Sequence, residues 1–321
     1  MGGGCENLLP ASPDAPDLLS QTGLYDDIAT RAFAAAVEVF EPRYPLWSDG
    51  VEKRRFVYLP ECDPIIDNGD EDDWVFPVGT RMWKEFSLGG TLLETRLVHR
   101  FGPGPTDFLY ATYAWRNDDS DADLVLNGVA NARATTHDIP PLAACNNCHG
   151  PHPAKGGLPS RYLGFSALQL SHGGPGVTMQ SLSADGHLLV PNAAGYAPPG
   201  DTIAQAALGY LHANCGNCHN DSADGIVFPF MDLRLRTSDV DVAATATYQT
   251  AVNQPTALFM NGCNHRILGG DPLASCMHVR MEARGSDGMP SGDQMPPLAT
   301  DVVDATGLAA VDAWISSLPP P

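Results

Sequence analysis

The chain has 321 residues, with 18 Lys and Arg against 38 Asp and Glu, a formal net charge of −20 at pH 7. That balance gives phosphate no basic surface and argues against nucleic acid as a partner; it suits a basic protein partner, or simply solubility. A hydrophobic fraction of 43% is ordinary for a globular protein, and no apolar run approaches the roughly 20 residues of a membrane-spanning helix.

Residues 1–22 are rich in Pro, Ser and Asp and read as a flexible tether. Met1-Gly-Gly-Gly-Cys5 reads as a start residue on a mature N-terminus whose export signal has been removed. Small residues before Cys5 make it a candidate for a lipid anchor. Ile28, Ala32, Ala35, Ala36 and Val39 recur at near-helical spacing, which predicts a short helix within 26–39. Residues 23–135 otherwise predict a β-rich domain. Thr91–Phe101 alternates, with Leu93, Thr95, Leu97, His99 and Phe101 on one face, and Phe108–Trp115 is aromatic and strand-like. Gly102-Pro-Gly-Pro105 supplies the turn between them, and Lys53–Leu59 and Trp74–Phe76 add shorter strands.

Residues 136–200 form a loop-rich segment with a short helix over 165–170; loops so rich in Gly fit closely around a flat, rigid ligand. From 201 the pattern turns helical. Thr202-x-x-Gln205 matches a capping box, and Ile203, Ala206, Ala207, Tyr210 and Leu211 carry a helix straight into Cys215. Leu308, Val311, Trp314, Ile315 and Leu318 mark a last helix, stopped by Pro319. The expected fold class is α+β: an N-terminal antiparallel β domain, a connecting segment over 136–200, and a helical domain over 201–321.

Two motifs carry the chemistry. Cys145-Asn-Asn-Cys148-His149 and Cys215-Gly-Asn-Cys218-His219 are both CxxCH. Two thiols separated by two residues reach the two vinyl groups on one edge of a haem, and the following His places an imidazole nitrogen on the iron. A thioredoxin-like pair would sit between a strand and a helix, whereas the second motif here ends a helix. A zinc site could group four thiolates but would leave both histidines without a role. Two haem c groups are therefore expected, joined through Cys145, Cys148, Cys215 and Cys218 and ligated by His149 and His219.

A sixth iron ligand is commonly Met or His. Gln294-Met295-Pro-Pro297, on a proline-stiffened loop before the last helix, makes Met295 the candidate partner of His219, with Met289 and Met281 behind it. For the first haem the better candidates are His137, just upstream of the motif, and His172, after the short helix; His99, His187, Met82 and Met179 are others. Cys263 and Cys276 flank a Gly-containing loop and predict a disulfide, and Cys5 with Cys62 is the alternative to lipidation of Cys5. Arg161, Arg266, Arg280 and Arg284 are candidates to hold haem propionates.

In that order of motifs, residues 201–321 resemble a class I cytochrome c domain, through Cys215, Cys218, His219, Met295 and the helix containing Trp314. The whole chain is similar to a family of bacterial dihaem c-type cytochromes. That resemblance rests on Tyr44-Pro-Leu-Trp-Ser-Asp49, Gly79-Thr-Arg-Met-Trp-Lys-Glu-Phe86, Glu94-Thr-Arg-Leu97 and the placement of the first CxxCH. It implies one integrated unit over about residues 40–321 of the kind found in periplasmic or surface redox proteins, and it supplies no substrate.

The expected function is electron transfer between two covalent haems and a redox partner outside the cytoplasm. A dihaem peroxidase is the enzyme alternative, decided by the sixth position of the haem on His149. A surface module whose β domain docks a polymer, mineral or neighbouring protein is the third reading.

Overall fold

A computed structural model describes residues 14–61, 63–65, 71–145, 149, 162–221, 231–260, 263–285, 294–297 and 300–321. It is mixed α and β, with the antiparallel sheet in the N-terminal part and helices thereafter. The chain separates into two compact units. One takes in residues up to 43 and most of 51–195; the other joins Tyr44–Gly50 to Tyr196–Pro321. This differs from the expected division. Residues 162–195 go with the sheet, and a short piece of the N-terminal part goes with the helices.

The first unit is built on a six-stranded antiparallel meander, ordered β3 (Glu38–Val39), β4 (Glu52–Tyr58), β5 (Arg81–Leu88), β6 (Thr91–Arg100), β7 (Phe108–Trp115) and β8 (Ala122–Leu124). Alternation assigns each residue to a face. Phe56, Trp83, Leu97 and Ala111 lie side by side in register. With Tyr113 and Trp115 they form a core that also takes in Leu19, Leu24 and Tyr25. The opposite face carries the rows Glu94–Ala114, Arg96–Thr112 and Val98–Tyr110.

Two expectations fail here. Residues 17–22 are no tether: Leu19 is fully buried, Leu18 bridges to Asp123, and Ser20 Oγ donates to Asp121 Oδ2 at 2.6 Å. The helix expected over 26–39 is absent. β1 (Tyr25–Asp27) pairs with β2 (Ala32–Phe33), and Phe33 stacks on Tyr25 at 4.9 Å. Apolar spacing imitated a helix, but anchoring these aromatic rings on the sheet core outweighs a weak helical preference. Trp74–Phe76 likewise stays outside the named strands and packs as aromatic rings, Trp74 and Phe76 both against Phe165. Two short helices follow, α1 (Ala167–Leu170) and α2 (Met179–Ala184).

In the second unit, α3 (Thr202–Asn214) packs against α6 (Ala305–Ser317). The cap of α3 is Asp201, one residue before the expected capping box; its carboxylate accepts from the Ile203 and Ala204 N–H groups. Close approach of the two helices rests on Gly307. A Cβ there would meet the Tyr210 ring at 2.0 Å. Between them lie α4 (Ala246–Ala251), the hairpin of β9 (Pro255–Met260) and β10 (Cys263–His265), and α5 (Cys276–Glu282). Cys263 and Cys276 form the predicted disulfide, with Cα atoms 5.3 Å apart. Among the described residues no helix is long and apolar enough to cross a membrane.

Candidate functional site

The second motif grows directly out of α3. Cys215 and Gly216 both donate their N–H to Leu211 O, at 2.9 Å, closing the helix end. The chain then tightens: Cys218 N–H donates to Cys215 O at 3.0 Å and His219 N–H to the same carbonyl at 2.8 Å. This turn puts the two thiols and the imidazole on one short segment. Gly216 has a steric reason, since a Cβ would lie 2.7 Å from His212 O and 3.0 Å from Arg234 Cα. Asn220, nearly fully buried, donates its side-chain amide to Gly216 O and Asn217 O and fastens the far side of the turn.

Cys215 and His219 are electrically neutral here. Burial pushes the Cys215 thiol up to about 12. Burial, then Arg280 and Arg266, push His219 down to about 4, so its imidazole carries no proton charge at neutral pH. His219 Nδ1 is buried and has no hydrogen-bond partner. An orphaned buried ring nitrogen normally costs free energy; here it belongs to a neutral imidazole, the form that binds metal.

Met295 is tied to Arg280. Its N–H donates to Arg280 O at 2.9 Å, and Arg280 is one of the two cations acting on His219. The Met295 loop is closed by buried polar groups. Gln294 Nε2 donates to Thr300 O at 2.6 Å, and Thr300 Oγ1 donates to Pro296 O at 2.7 Å. Gln294 and Thr300 are each only 2% exposed. Of the other candidates, Met281 is buried on α5, and Arg284 donates to the Met281 and Ala283 carbonyls. Met289 and Arg161 lie outside the described residues.

Cys145 and His149 of the first motif lie against the sheet. Cys145 follows a turn of 3₁₀ helix, Leu142–Ala144, and His149 N–H donates to Cys145 O at 2.9 Å, the same closing bond as in the second motif. Tyr110 on β7 donates its hydroxyl to His149 O at 3.1 Å, with the two rings 5.6 Å apart. Burial raises the Cys145 thiol, with Arg96 and Glu94 as its charged neighbours. Cys148 lies outside the described residues, as do Cys5 and Cys62.

Beside Cys145 the sheet holds a buried charge cluster. Glu94, with a fully buried side chain, accepts from Arg96 Nε at 2.9 Å, from Arg96 Nη2 at 2.6 Å and from His137 Nε2 at 2.7 Å. Burial alone would raise its carboxyl, but Arg96 and His137 outweigh it and hold Glu94 below the usual range. The Arg96 guanidinium lies 4.5 Å from the Phe86 ring centroid. His137 thus spends Nε2 on a carboxylate. His172 has both nitrogens engaged: Nε2 donates to Glu41 O at 2.7 Å, and Nδ1 accepts from Gly174 N–H. His99 is buried and pushed down to about 4 by burial and then Arg81, while Met82 and Met179 are buried in the first unit. His187 is half-buried, with its backbone tied to Ile65 and Leu182.

Among the described residues no group of three or more His, Cys, Asp and Glu side chains converges as a metal site. Sequence reasoning missed Gln294, Thr300, Asn220 and the Glu94–His137 contact. Glu94, His137 and Gln294 had been singled out, but nothing in the pattern pointed to their partners. Comparison with protein-family models, curated proteins and solved structures returns no match.

Proposed function

We propose that the chain is an exported dihaem c-type cytochrome that carries electrons between two covalent haem sites and a partner protein. The observation that carries this reading is the turn common to both CxxCH segments. In two separate units, the His N–H closes onto the first Cys carbonyl, at 2.9 and 2.8 Å. Neutral His219, with its orphaned Nδ1 and two cations beside it, fits the iron-binding side of such a site. Cys145, Cys148 and His149 would hold one haem, and Cys215, Cys218, His219 and Met295 the other. Bound there, haem supplies a one-electron iron couple whose potential the protein sets by axial ligand, burial and hydrogen bonding.

The rest is work for the chain's own residues. Met295 offers a thioether, which favours ferrous iron and a higher potential than a second imidazole would. Arg266 and Arg280 put positive charge beside His219, which acts in the same direction. The order α3, CxxCH, Met295 loop, α6, with α3 packed on α6, supports a class I cytochrome c-like domain in the second unit. The Cys263–Cys276 disulfide favours an oxidising compartment, periplasm or cell surface. A net charge of −20 favours a basic redox partner, met through a small transient interface.

One observation favours the peroxidase as a second reading: His137 and His172 have ring nitrogens committed to Glu94 and to backbone. A haem on His149 would then keep a position open to peroxide. Optical and paramagnetic resonance spectra of the ferric protein test both readings. Two low-spin, six-coordinate haems, one changed by Met295→His, support the carrier. A high-spin haem lost with His149→Ala, together with peroxide turnover, supports the peroxidase.

A further inference from the structure

Tyr44-Pro-Leu-Trp-Ser-Asp49 falls between β3 and β4 in sequence but belongs to the helical unit. Trp47 makes two contacts there. Its backbone N–H donates to Asn214 Oδ1 at 2.7 Å, and its indole Nε1–H donates to Val302 O at 3.0 Å. Asn214 is the last residue of α3, next to Cys215, and donates back to Pro45 O at 3.3 Å. Val302 follows Met295 and the Gln294–Thr300 closure. Its N–H donates to Asp49 Oδ1 at 2.8 Å, and its carbonyl also lies 3.4 Å from Arg284 Nη2. Val302 is 54% exposed, and the bonds that grip it are to its backbone. At the other end of the segment the Tyr44 ring fills a notch over Gly209, where a Cβ would meet it at 2.2 Å.

We infer that residues 44–50 are a strap tying the helix end that carries Cys215 to the loop that carries Met295, with Trp47 and Asp49 as positioning residues for the Met295 sulfur. The inference rests on the reading of Met295 as an iron ligand. A thioether is a weak donor held on iron by the loop behind it, so the loop's freedom to open sets how readily the sulfur is displaced. Trp47 bonds both sides at once through two different N–H groups, and Asp49 fixes the same loop residue through the Val302 N–H. Asp49 sits at φ +49°, a left-handed conformation that Asp and Asn tolerate better than other side chains. Asp49→Asn therefore keeps both the conformation and an oxygen to accept from Val302.

The test uses the full chain with haem attached and imidazole as the competing ligand. The sulfur-to-iron charge-transfer band of the ferric protein and the imidazole affinity are read together. A neutral hydrogen bond such as that from the Trp47 indole shifts an opening equilibrium by about three- to tenfold, and one to the Asp49 carboxylate by more. Trp47→Phe with Asp49→Ala should weaken the band and tighten imidazole binding by about tenfold or more, by the same relation. Trp47→Phe alone should give about threefold, and it carries the test if the double variant does not accumulate. Asp49→Asn should stay near wild type. Variants that melt lower but keep wild-type imidazole affinity and band would overturn the strap and leave the Met295 reading intact. A wild-type band absent, or unchanged in Met295→Ala, would overturn the Met295 reading and the strap with it.

Discussion

Replacing Glu94 by Gln tests the charge cluster under the first motif. Glu94 receives three hydrogen bonds from two partners and its side chain is fully buried. Bonds to a charged group contribute about 1.5–3 kcal/mol each, so simple addition gives about 5–9 kcal/mol. That sum is too large for two reasons. The Arg96 side chain is 28% exposed and can rehydrate, and bonds sharing one carboxylate are not additive. The substituted amide also keeps one acceptor oxygen while turning its N–H₂ toward Arg96, donor against donor. The expected loss is about 3 kcal/mol, the low end of the range for breaking a buried ion pair. For a unit of this size each kcal/mol lowers the midpoint by about 2–4 °C, so the sheet should melt about 6–12 °C lower. Near-ultraviolet circular dichroism reports this through Trp83 and Trp115, which are buried in the sheet core. Combined with Arg96→Gln, the variant should show a coupling of about 1–3 kcal/mol. A midpoint shift below about 2 °C, or additive single variants, would refute the idea that Glu94 is held by its partners.

Three further outcomes follow from the same contacts. Changing Cys263 and Cys276 to Ser opens a loop of sequence separation 13 and should destabilise the helical unit by about 3 kcal/mol; denaturant midpoints with and without reductant read this, and a wild type insensitive to reductant would contradict it. His99 titrates near 4 when folded against an ordinary 6.5 when unfolded, so the unfolded chain takes up its proton first. The stability His99 contributes is complete above about pH 6.5 and falls by about 3 kcal/mol as pH drops toward 4; His99→Phe should flatten the stability profile in that window, and an unchanged slope would count against it. Gly307→Ala should cost about 1–3 kcal/mol by forcing the Tyr210 ring from its seat, and a variant melting with wild type would show that the helices separate freely.

Much of this was readable in the residues, and the failures have physical causes. β6 and β7 were legible as strands although both their faces bury side chains, Leu97 and Tyr113 on one and Glu94 and Thr112 on the other, and α3 and α6 announce themselves by apolar spacing and, for α6, by Pro319. The Cys263–Cys276 bond needed only two thiols near in sequence. The 26–39 segment misled because Ala is compatible with many environments, and what decided its structure was Phe33 meeting Tyr25 and Phe56 across the sheet. The partners of Glu94, the grip on Val302 and the Gln294–Thr300 closure were not legible. The Val302 and Thr300 contacts join side chains to backbone groups that every residue carries, those to Val302 across more than two hundred residues, and nothing local marks His137 as the partner of Glu94.

The central claim is that each CxxCH turn holds a porphyrin through two thioether bonds. Intact-mass analysis of the full chain, made in a host with cytochrome maturation and extracted with acid-acetone, tests it most directly. Two added haem masses are predicted, one of which disappears when Cys145 and Cys148 become Ala and the other when Cys215 and Cys218 do. A bare polypeptide mass, or haem removed by the extraction, would contradict it.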